Sequence, residues 1–81
     1  MKKTRGVYRI DGIRFTGERR ELLKGLDAKQ LLMDILEKRQ KLQNINGAVS
    51  VRRKFGDVEL EFTQTQMRSK MLIVKEIKEE R

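Results

Sequence analysis

The sequence predicts a small α+β domain in which one sheet packs on one helix. The predicted order is β-hairpin, helix, β-hairpin and then a C-terminal strand or short helix. Three observations support this class: an Asp-Gly turn between alternating apolar residues, an amphipathic segment with capping residues, and a second alternating segment around a glycine. We expect residues 1–81 to form a single domain that begins with a flexible basic arm, residues 1–6.

The first hairpin is centred on Asp11 and Gly12. This dipeptide favours a type I′ turn, which requires a positive φ at both central positions. A two-residue loop sets the register, and the expected cross-strand pairs are Ile10 with Ile13, Arg9 with Arg14, and Tyr8 with Phe15. The apolar residues of these pairs form one stripe that we expect to face the core. Arg9 and Arg14 then lie side by side on the opposite face.

The segment between the first hairpin and the helix has no single interpretation. Residues 16–24 are compatible with a turn and a short helix, or with an extension of the preceding strand. Gly25 ends the segment in either case.

A helix is predicted over residues 27–43. Asp27 is the expected N-cap, and Gln30 stands where a capping box has its third residue, with Leu26 and Leu31 at the staple positions. The core face is predicted from apolar residues at helical spacing, namely Ala28, Leu31, Leu32, Ile35, Leu36 and Leu42. Asp34 and Lys38 form an i,i+4 pair of favourable orientation, and residues 44–47 end the helix.

A second hairpin is predicted over residues 48–63, with its tip near Phe55 and Gly56. The expected apolar pairs are Val51 with Leu60 and Val49 with Phe62, and the expected charged pairs are Lys54 with Asp57 and Arg52 with Glu59. Opposite charges across a strand pair are stabilising by a few tenths of a kcal/mol up to about 1 kcal/mol. The second hairpin therefore neutralises its basic residues internally.

The tail, residues 65–80, contains both helical and extended signals. Its apolar residues fit a helix by spacing, but the segment from Met71 to Val74 is dense in β-formers. Glu76, Glu79 and Glu80 are also unfavourable near the C-terminus of a helix, where the dipole is negative. We therefore expect a strand at about 71–77.

Composition narrows the function to binding. Cys and His are both absent, which removes thiolate chemistry, the commonest general base and the commonest transition-metal ligand. Asp57, Glu59 and Glu61 alternate along one strand, but two of them have predicted cationic partners, so we expect no metal site. We expect no catalytic activity and no cofactor.

The net charge of +8 indicates affinity for polyanions. Residues 1–25 carry eight basic and three acidic side chains, so the excess is concentrated in the first third. Like charges across a strand pair repel, and we interpret Arg9 opposite Arg14 as an anion-binding pair, extended by Lys2, Lys3 and Arg5.

Two further clusters are weaker candidates. Arg19 and Arg20 lie close together but are flanked by glutamates, a pattern that is typical of a solvated face. At the second hairpin tip, Arg53 and Phe55 lack predicted partners, although Phe55 fits the core equally well. The candidate residues for binding nucleic acid or an acidic partner are Lys2, Lys3, Arg5, Arg9, Arg14, Arg19, Arg20, Arg53 and Phe55.

These features favour a small cytoplasmic protein that binds nucleic acid, DNA or RNA, mainly through phosphates. The alternative is a protein-interaction module, such as an inhibitor, accessory subunit or assembly factor, that docks on an acidic protein surface. The sequence has no apolar run of membrane-spanning length and no signal peptide pattern. Its lean core is compatible with a homodimer.

Overall fold

A computed structural model describes residues 7–78, which form one five-stranded mixed sheet with a single α-helix packed on one face. The elements are β1 (Tyr8–Ile10), β2 (Ile13–Gly17), a 3₁₀ helix (Arg20–Leu23), α1 (Ala28–Leu42), β3 (Val49–Phe55), β4 (Val58–Gln64) and β5 (Met71–Ile77). The strand order in the sheet is β1-β2-β5-β4-β3. This architecture confirms the predicted α+β class.

The first hairpin has the predicted turn and register. Asp11 and Gly12 have φ values of 52° and 80°, as a type I′ turn requires. The cross-strand pairs are Tyr8 with Phe15, Arg9 with Arg14, and Ile10 with Ile13. The local sequence therefore predicted the turn and register of this hairpin correctly.

The C-terminal segment is a strand, as expected, and it lies at the centre of the sheet. β5 runs parallel to β2 and antiparallel to β4. Leu72 and Val74 are buried against the helix side, whereas Met71 and Ile73 are 36% and 42% exposed on the other face. Apolar residues on both faces explain why this segment is so dense in β-formers.

Gly17 allows β2 to approach β5 closely. Its φ is 122°, and a Cβ atom at this position would collide with the backbone carbonyl oxygen of Val74. A glycine is therefore required where β2 ends and the chain turns towards the 3₁₀ helix. The ambiguous segment 16–24 thus contains the end of a strand followed by a short helix.

The second hairpin forms with a register that differs from the prediction. Its two-residue turn is Gly56-Asp57, so Phe55 pairs with Val58, Val51 with Phe62 and Val49 with Gln64. The charged pairs are Arg52 with Glu61 and Lys54 with Glu59. The predicted pairs Lys54–Asp57 and Arg52–Glu59 were wrong because Asp57 lies in the turn itself. The register differs by two residues, which leaves each side chain on its predicted face.

Helix α1 begins as predicted but does not form a complete capping box. The Asp27 carboxylate accepts a hydrogen bond from the Gln30 amide at 3.1 Å, which confirms the N-cap. The Gln30 side chain donates to Asp34 at 2.9 Å instead of returning to the cap. Asp34 also pairs with Arg53 on β3, and Lys38 donates to the Ser50 carbonyl. The predicted Asp34–Lys38 pair is therefore replaced by two links from the helix to the sheet.

The buried face of α1 includes an arginine. Its buried residues are Ala28, Leu31, Ile35 and Arg39, with Leu32 half-buried beside them. Leu36 and Leu42 were predicted in the core, but they are 37% and 58% exposed. At 3.6 residues per turn, these two leucines lie on either side of Arg39. Arg39, rather than Leu36 or Leu42, therefore faces the core at this end of the helix.

Arg39 is 3% exposed and makes no ion pair with any residue in the described range. Its Nη1 donates to the backbone oxygens of Asn44, Ile45 and Gly47 at 3.1, 3.4 and 2.7 Å. Its Nη2 donates to the backbone oxygen and the side-chain Oε1 of Gln64 at 3.3 and 2.9 Å. Carbonyl dipoles, rather than a carboxylate, therefore stabilise this buried charge.

Gln64 continues the network beyond β4. It is 1% exposed, and its Nε2 donates to the backbone oxygens of Met67 and Ser69 at 3.1 and 2.8 Å. The helix end is closed nearby, where the amide of Gln43 donates to Gln40 and the amide of Asn44 donates to Arg39, both at 3.0 Å. These bonds form a Schellman motif, which confirms the predicted stop.

We expect Ile35→Ala to lower the free energy of unfolding by about 3 kcal/mol, because Ile35 is fully buried and its truncation leaves a cavity. Leu42→Ala is the matched control on the same helix, and we expect a change within about 0.5 kcal/mol because Leu42 is exposed. Urea unfolding measures both. Equal losses in the two variants would contradict the assigned core face.

We expect Arg39→Met to lower the free energy of unfolding by about 3 kcal/mol or more. The thioether fills similar space but leaves five buried or half-buried acceptor oxygens without their donor. Lys41→Met, which removes an exposed cation from the same helical turn, is the control and changes stability by about 0.5 kcal/mol or less. Comparable stability of the two variants in urea would show that the network is dispensable.

Candidate nucleic-acid interface

The face of the sheet opposite α1 has no element packed on it within residues 7–78, and we call it the open face. Side chains alternate along each strand, and the register places one set from all five strands here. The residues of the open face are Arg9, Arg14, Thr16, Ser50, Arg52, Lys54, Glu59, Glu61, Thr63, Met71, Ile73, Lys75 and Ile77.

Charges alternate in sign across β3, β4 and β5. Glu61 lies between Arg52 on one neighbouring strand and Lys75 on the other, and Glu59 lies opposite Lys54. The Nε atom of Arg52 is 3.9 Å from the Glu61 carboxylate. This half of the open face therefore supplies carboxylates beside its own cations.

The other half of the open face contains Arg9 directly opposite Arg14, and we call these residues the arginine pair. The amide of Arg14 donates to the Lys70 carbonyl at 2.8 Å, so it points towards β5 rather than β1. Arg9 and Arg14 therefore form a non-hydrogen-bonded pair, the kind in which the two side chains lie closer together. Both are exposed, and neither makes an ion pair or a side-chain hydrogen bond within residues 7–78.

The same geometry leaves backbone groups of Arg9 at the free edge of the sheet. Residues of a non-hydrogen-bonded pair direct their N–H and C=O groups away from each other's strand. Because β1 is an edge strand, the Arg9 amide faces outwards from the sheet. An anion at this edge can accept a hydrogen bond from that amide.

Lys70 is a neighbour of Arg14 that sequence analysis did not predict. It is exposed and immediately precedes β5, and its carbonyl accepts the Arg14 amide. The parallel pairing of β2 with β5 places the Lys70 backbone beside Arg14, and no local pattern encodes that pairing. Its only sequence signal is a basic residue directly before a predicted strand.

Arg19 and Arg20 lie elsewhere, at the start of the 3₁₀ helix on the α1 side of the sheet. Arg19 donates from Nε to Glu21 at 2.8 Å and from Nη1 to Glu76 at 3.2 Å. These hydrogen bonds raise the pKa of Arg19, and the bond from Arg19 lowers the pKa of the Glu21 carboxyl. Arg19 is therefore held by two carboxylates.

The two arginines contribute to a cleft at the β1 edge, with a volume of about 640 Å³. We call it the edge cleft, and its lining residues are Val7, Tyr8, Gly17, Arg19, Arg20, Glu21 and Lys24. Tyr8 lies on the predicted apolar stripe but is 37% exposed. With only three residues in β1, the sheet edge does not cover its ring.

Arg53 and Phe55 do not join the open face. Arg53 lies on the α1 side, where it pairs with Asp34. Phe55 packs against the core, with its ring centroid 6.3 Å from that of Phe62. Neither side chain is available at a hairpin tip, so we remove both from the candidate interface. Lys2, Lys3 and Arg5 lie outside the described residues.

Two other site expectations concern metals and membranes. Glu59 and Glu61 share the open face while Asp57 lies in the turn, and the described residues contain no group of three or more Asp and Glu side chains that could hold a metal ion. No helix within residues 7–78 is long and apolar enough to cross a membrane.

Comparison with known proteins identifies no relative: no family model, curated protein or solved structure matches this chain significantly. By its fold and charge distribution, the chain is a small α+β domain whose open face carries the arginine pair at one edge of the sheet.

We expect Arg14→Glu to stabilise the protein by about 0.2–1 kcal/mol, because it converts a repelling cross-strand pair into an attracting one. Arg52→Glu is the matched control on the same face, and it should lower stability by a similar amount because it places two carboxylates together with Glu61. Thermal melts of both variants test this. A loss of stability in Arg14→Glu would show that the two arginines do not repel in the folded protein.

Proposed function

We propose that this chain is a small non-catalytic nucleic-acid-binding protein. Its contact surface is the arginine pair, extended by Lys2, Lys3 and Arg5 of the N-terminal arm. The observation that carries the proposal is the difference between the two halves of the open face. One half pairs its cations with glutamates, whereas the arginine pair has no acidic partner within residues 7–78.

Phosphate groups offset the cost of this arrangement. Two arginines held close together repel each other, and a bound phosphate replaces that repulsion with charge-assisted hydrogen bonds. The planar guanidinium matches the geometry of phosphate oxygens, and the outward Arg9 amide supplies a further donor. Release of condensed counterions from the nucleic acid adds a favourable term that decreases with salt.

Binding through this surface has weak sequence preference. Phosphate contacts position a protein on nucleic acid, whereas base-edge contacts provide specificity. The proposed function is therefore general affinity for DNA or RNA.

The composition supports a binding role over a catalytic one. Without Cys or His, the chain lacks the residues that most often serve as nucleophile activators and general bases near neutral pH. We accordingly propose no cofactor. The cytoplasm, where nucleic acids are abundant, is the proposed location.

A second candidate is the protein-interaction module, and one observation favours it. Leu36, Ile45 and Met67 are 37%, 63% and 45% exposed, and they line an open cleft of about 570 Å³ near the C-terminal end of α1. Clustered exposed apolar residues are a common feature of protein contact surfaces. In this alternative, the arginine pair docks on an acidic protein partner.

We expect Arg14→Glu to weaken binding of a generic duplex by at least tenfold, because one contact is lost and the new carboxylate both repels phosphate and pairs with Arg9. Arg52→Glu is the control with the same charge change on the same face, and it should weaken binding less. Fluorescence-anisotropy titrations of labelled duplex DNA and RNA at two salt concentrations measure both affinities. Wild-type affinity should fall steeply with salt.

Three results would contradict the proposal. The first is wild-type protein that binds no nucleic acid at low salt. The second is an Arg14→Glu variant with unchanged affinity, and the third is an Arg52→Glu variant with the larger loss. A negative nucleic-acid result together with a stable protein partner that Leu36→Glu abolishes would favour the interaction module.

A further inference from the structure

The edge cleft combines an aromatic ring with cations. Tyr8 and Val7 provide an apolar wall, Arg19, Arg20 and Lys24 are cationic, and Glu21, which also lines the cleft, accepts a hydrogen bond from Arg19 at 2.8 Å. Lys24 is exposed and makes no ion pair or side-chain hydrogen bond within the described part of the chain. A volume of about 640 Å³ lies within the range of about 300–1,000 Å³ that is typical of small-molecule sites.

Tyr8 is the only aromatic side chain that is free to stack on a ligand. The chain has one tyrosine, three phenylalanines and no tryptophan. Phe15 and Phe62 are fully buried with their rings 6.0 Å apart in an edge-to-face contact, and Phe55 packs against Phe62. Any stacking on an aromatic ring of this protein therefore takes place in the edge cleft.

The edge cleft and the arginine pair border the same strand edge. Tyr8 and Arg9 are consecutive residues of β1, with Cα atoms about 3.8 Å apart and side chains on opposite faces of the sheet. No strand covers β1 on its outer side within residues 7–78. A flexible polyanion that runs along this edge meets the arginines on one side and the tyrosine ring on the other.

We infer that the edge cleft binds one unpaired nucleobase, stacked on Tyr8, with Lys24 contacting an adjacent phosphate, and that the protein therefore prefers single-stranded nucleic acid. This inference rests on the proposed nucleic-acid function. Bases within a duplex have both faces covered by their neighbours, so only an unpaired base can present a face to Tyr8. Because every base has such a face, stacking adds strand preference without adding sequence preference.

The test compares single-stranded and duplex ligands with variants at Tyr8. The probes are a twelve-nucleotide oligothymidylate, the corresponding oligouridylate and a twenty-base-pair duplex, each titrated by fluorescence anisotropy. We expect Tyr8→Leu to weaken single-strand binding by about tenfold and to leave duplex binding unchanged. Tyr8→Phe, which keeps the ring, should bind like the wild type, and Lys24→Gln should weaken single-strand binding by a smaller factor.

A second measurement requires no variant. Because Tyr8 is the sole tyrosine, its ring protons can be followed by NMR after selective tyrosine labelling. Stacking on oligothymidylate should move these resonances upfield, whereas the duplex should leave them in place. This readout is unaffected by any loss of folding in Tyr8→Leu.

Different outcomes separate this inference from the proposed function. Duplex binding that depends on Arg14, together with unchanged single-strand affinity in Tyr8→Leu or unmoved ring resonances, would overturn the inference alone. The inference would also be overturned if Tyr8→Leu lost duplex and single-strand affinity equally. The same holds if Tyr8→Phe lost as much single-strand affinity as Tyr8→Leu. Wild-type protein that binds none of the three probes would overturn both.

Discussion

The buried guanidinium of Arg39 is the interaction on which the rest of the structure depends. It joins the C-terminal end of α1, the loop before β3 and the end of β4 through five oxygen acceptors. Gln64 extends the same network to the loop before β5. A lysine could not reproduce this arrangement, because its three donor hydrogens are all on one nitrogen. The guanidinium has separate nitrogens, and Nη1 and Nη2 donate to different groups of acceptors. One side chain therefore anchors the helix against the half of the sheet that contains β3 and β4.

This anchoring determines where the protein is open. α1 packs towards β3, and the short 3₁₀ helix covers part of the β1–β2 side, so the edge strand remains incompletely covered. The edge cleft and the arginine pair lie on opposite faces of that same edge. The charges follow the same division, since the helix-anchored half pairs its cations with Asp34, Glu59 and Glu61, whereas Arg9 and Arg14 have no carboxylate partner within residues 7–78. The packing of α1 towards β3 therefore both anchors the helix on one half of the sheet and leaves the candidate binding surface uncovered on the other half.

Local signals predicted the local features of the fold. Asp11-Gly12 specified the first hairpin with its register, and Asp27 specified the start of α1, because turn and cap chemistry involve only neighbouring residues. Features that depend on distant residues could not be predicted. The parallel pairing of β2 with β5, which places the Lys70 backbone beside Arg14, has no local code. The burial of Arg39 depends on carbonyls that only the folded loops bring together, and Tyr8 is exposed because β1 lies at an edge.

The central position of β5 has a consequence for biosynthesis. It is the last of the five strands in the chain, yet both hairpins pair with it and not with each other. Before Met71–Ile77 leaves the ribosome, β2 and β4 each lack the neighbouring strand to which their backbone groups hydrogen-bond. The two hairpins are then separate and do not form one continuous sheet. Assembly then requires contacts between residues distant in sequence, which form slowly compared with local ones. This domain therefore completes its tertiary structure only after β5 has been synthesised, and nascent chains that stop before β5 expose strand edges that favour aggregation.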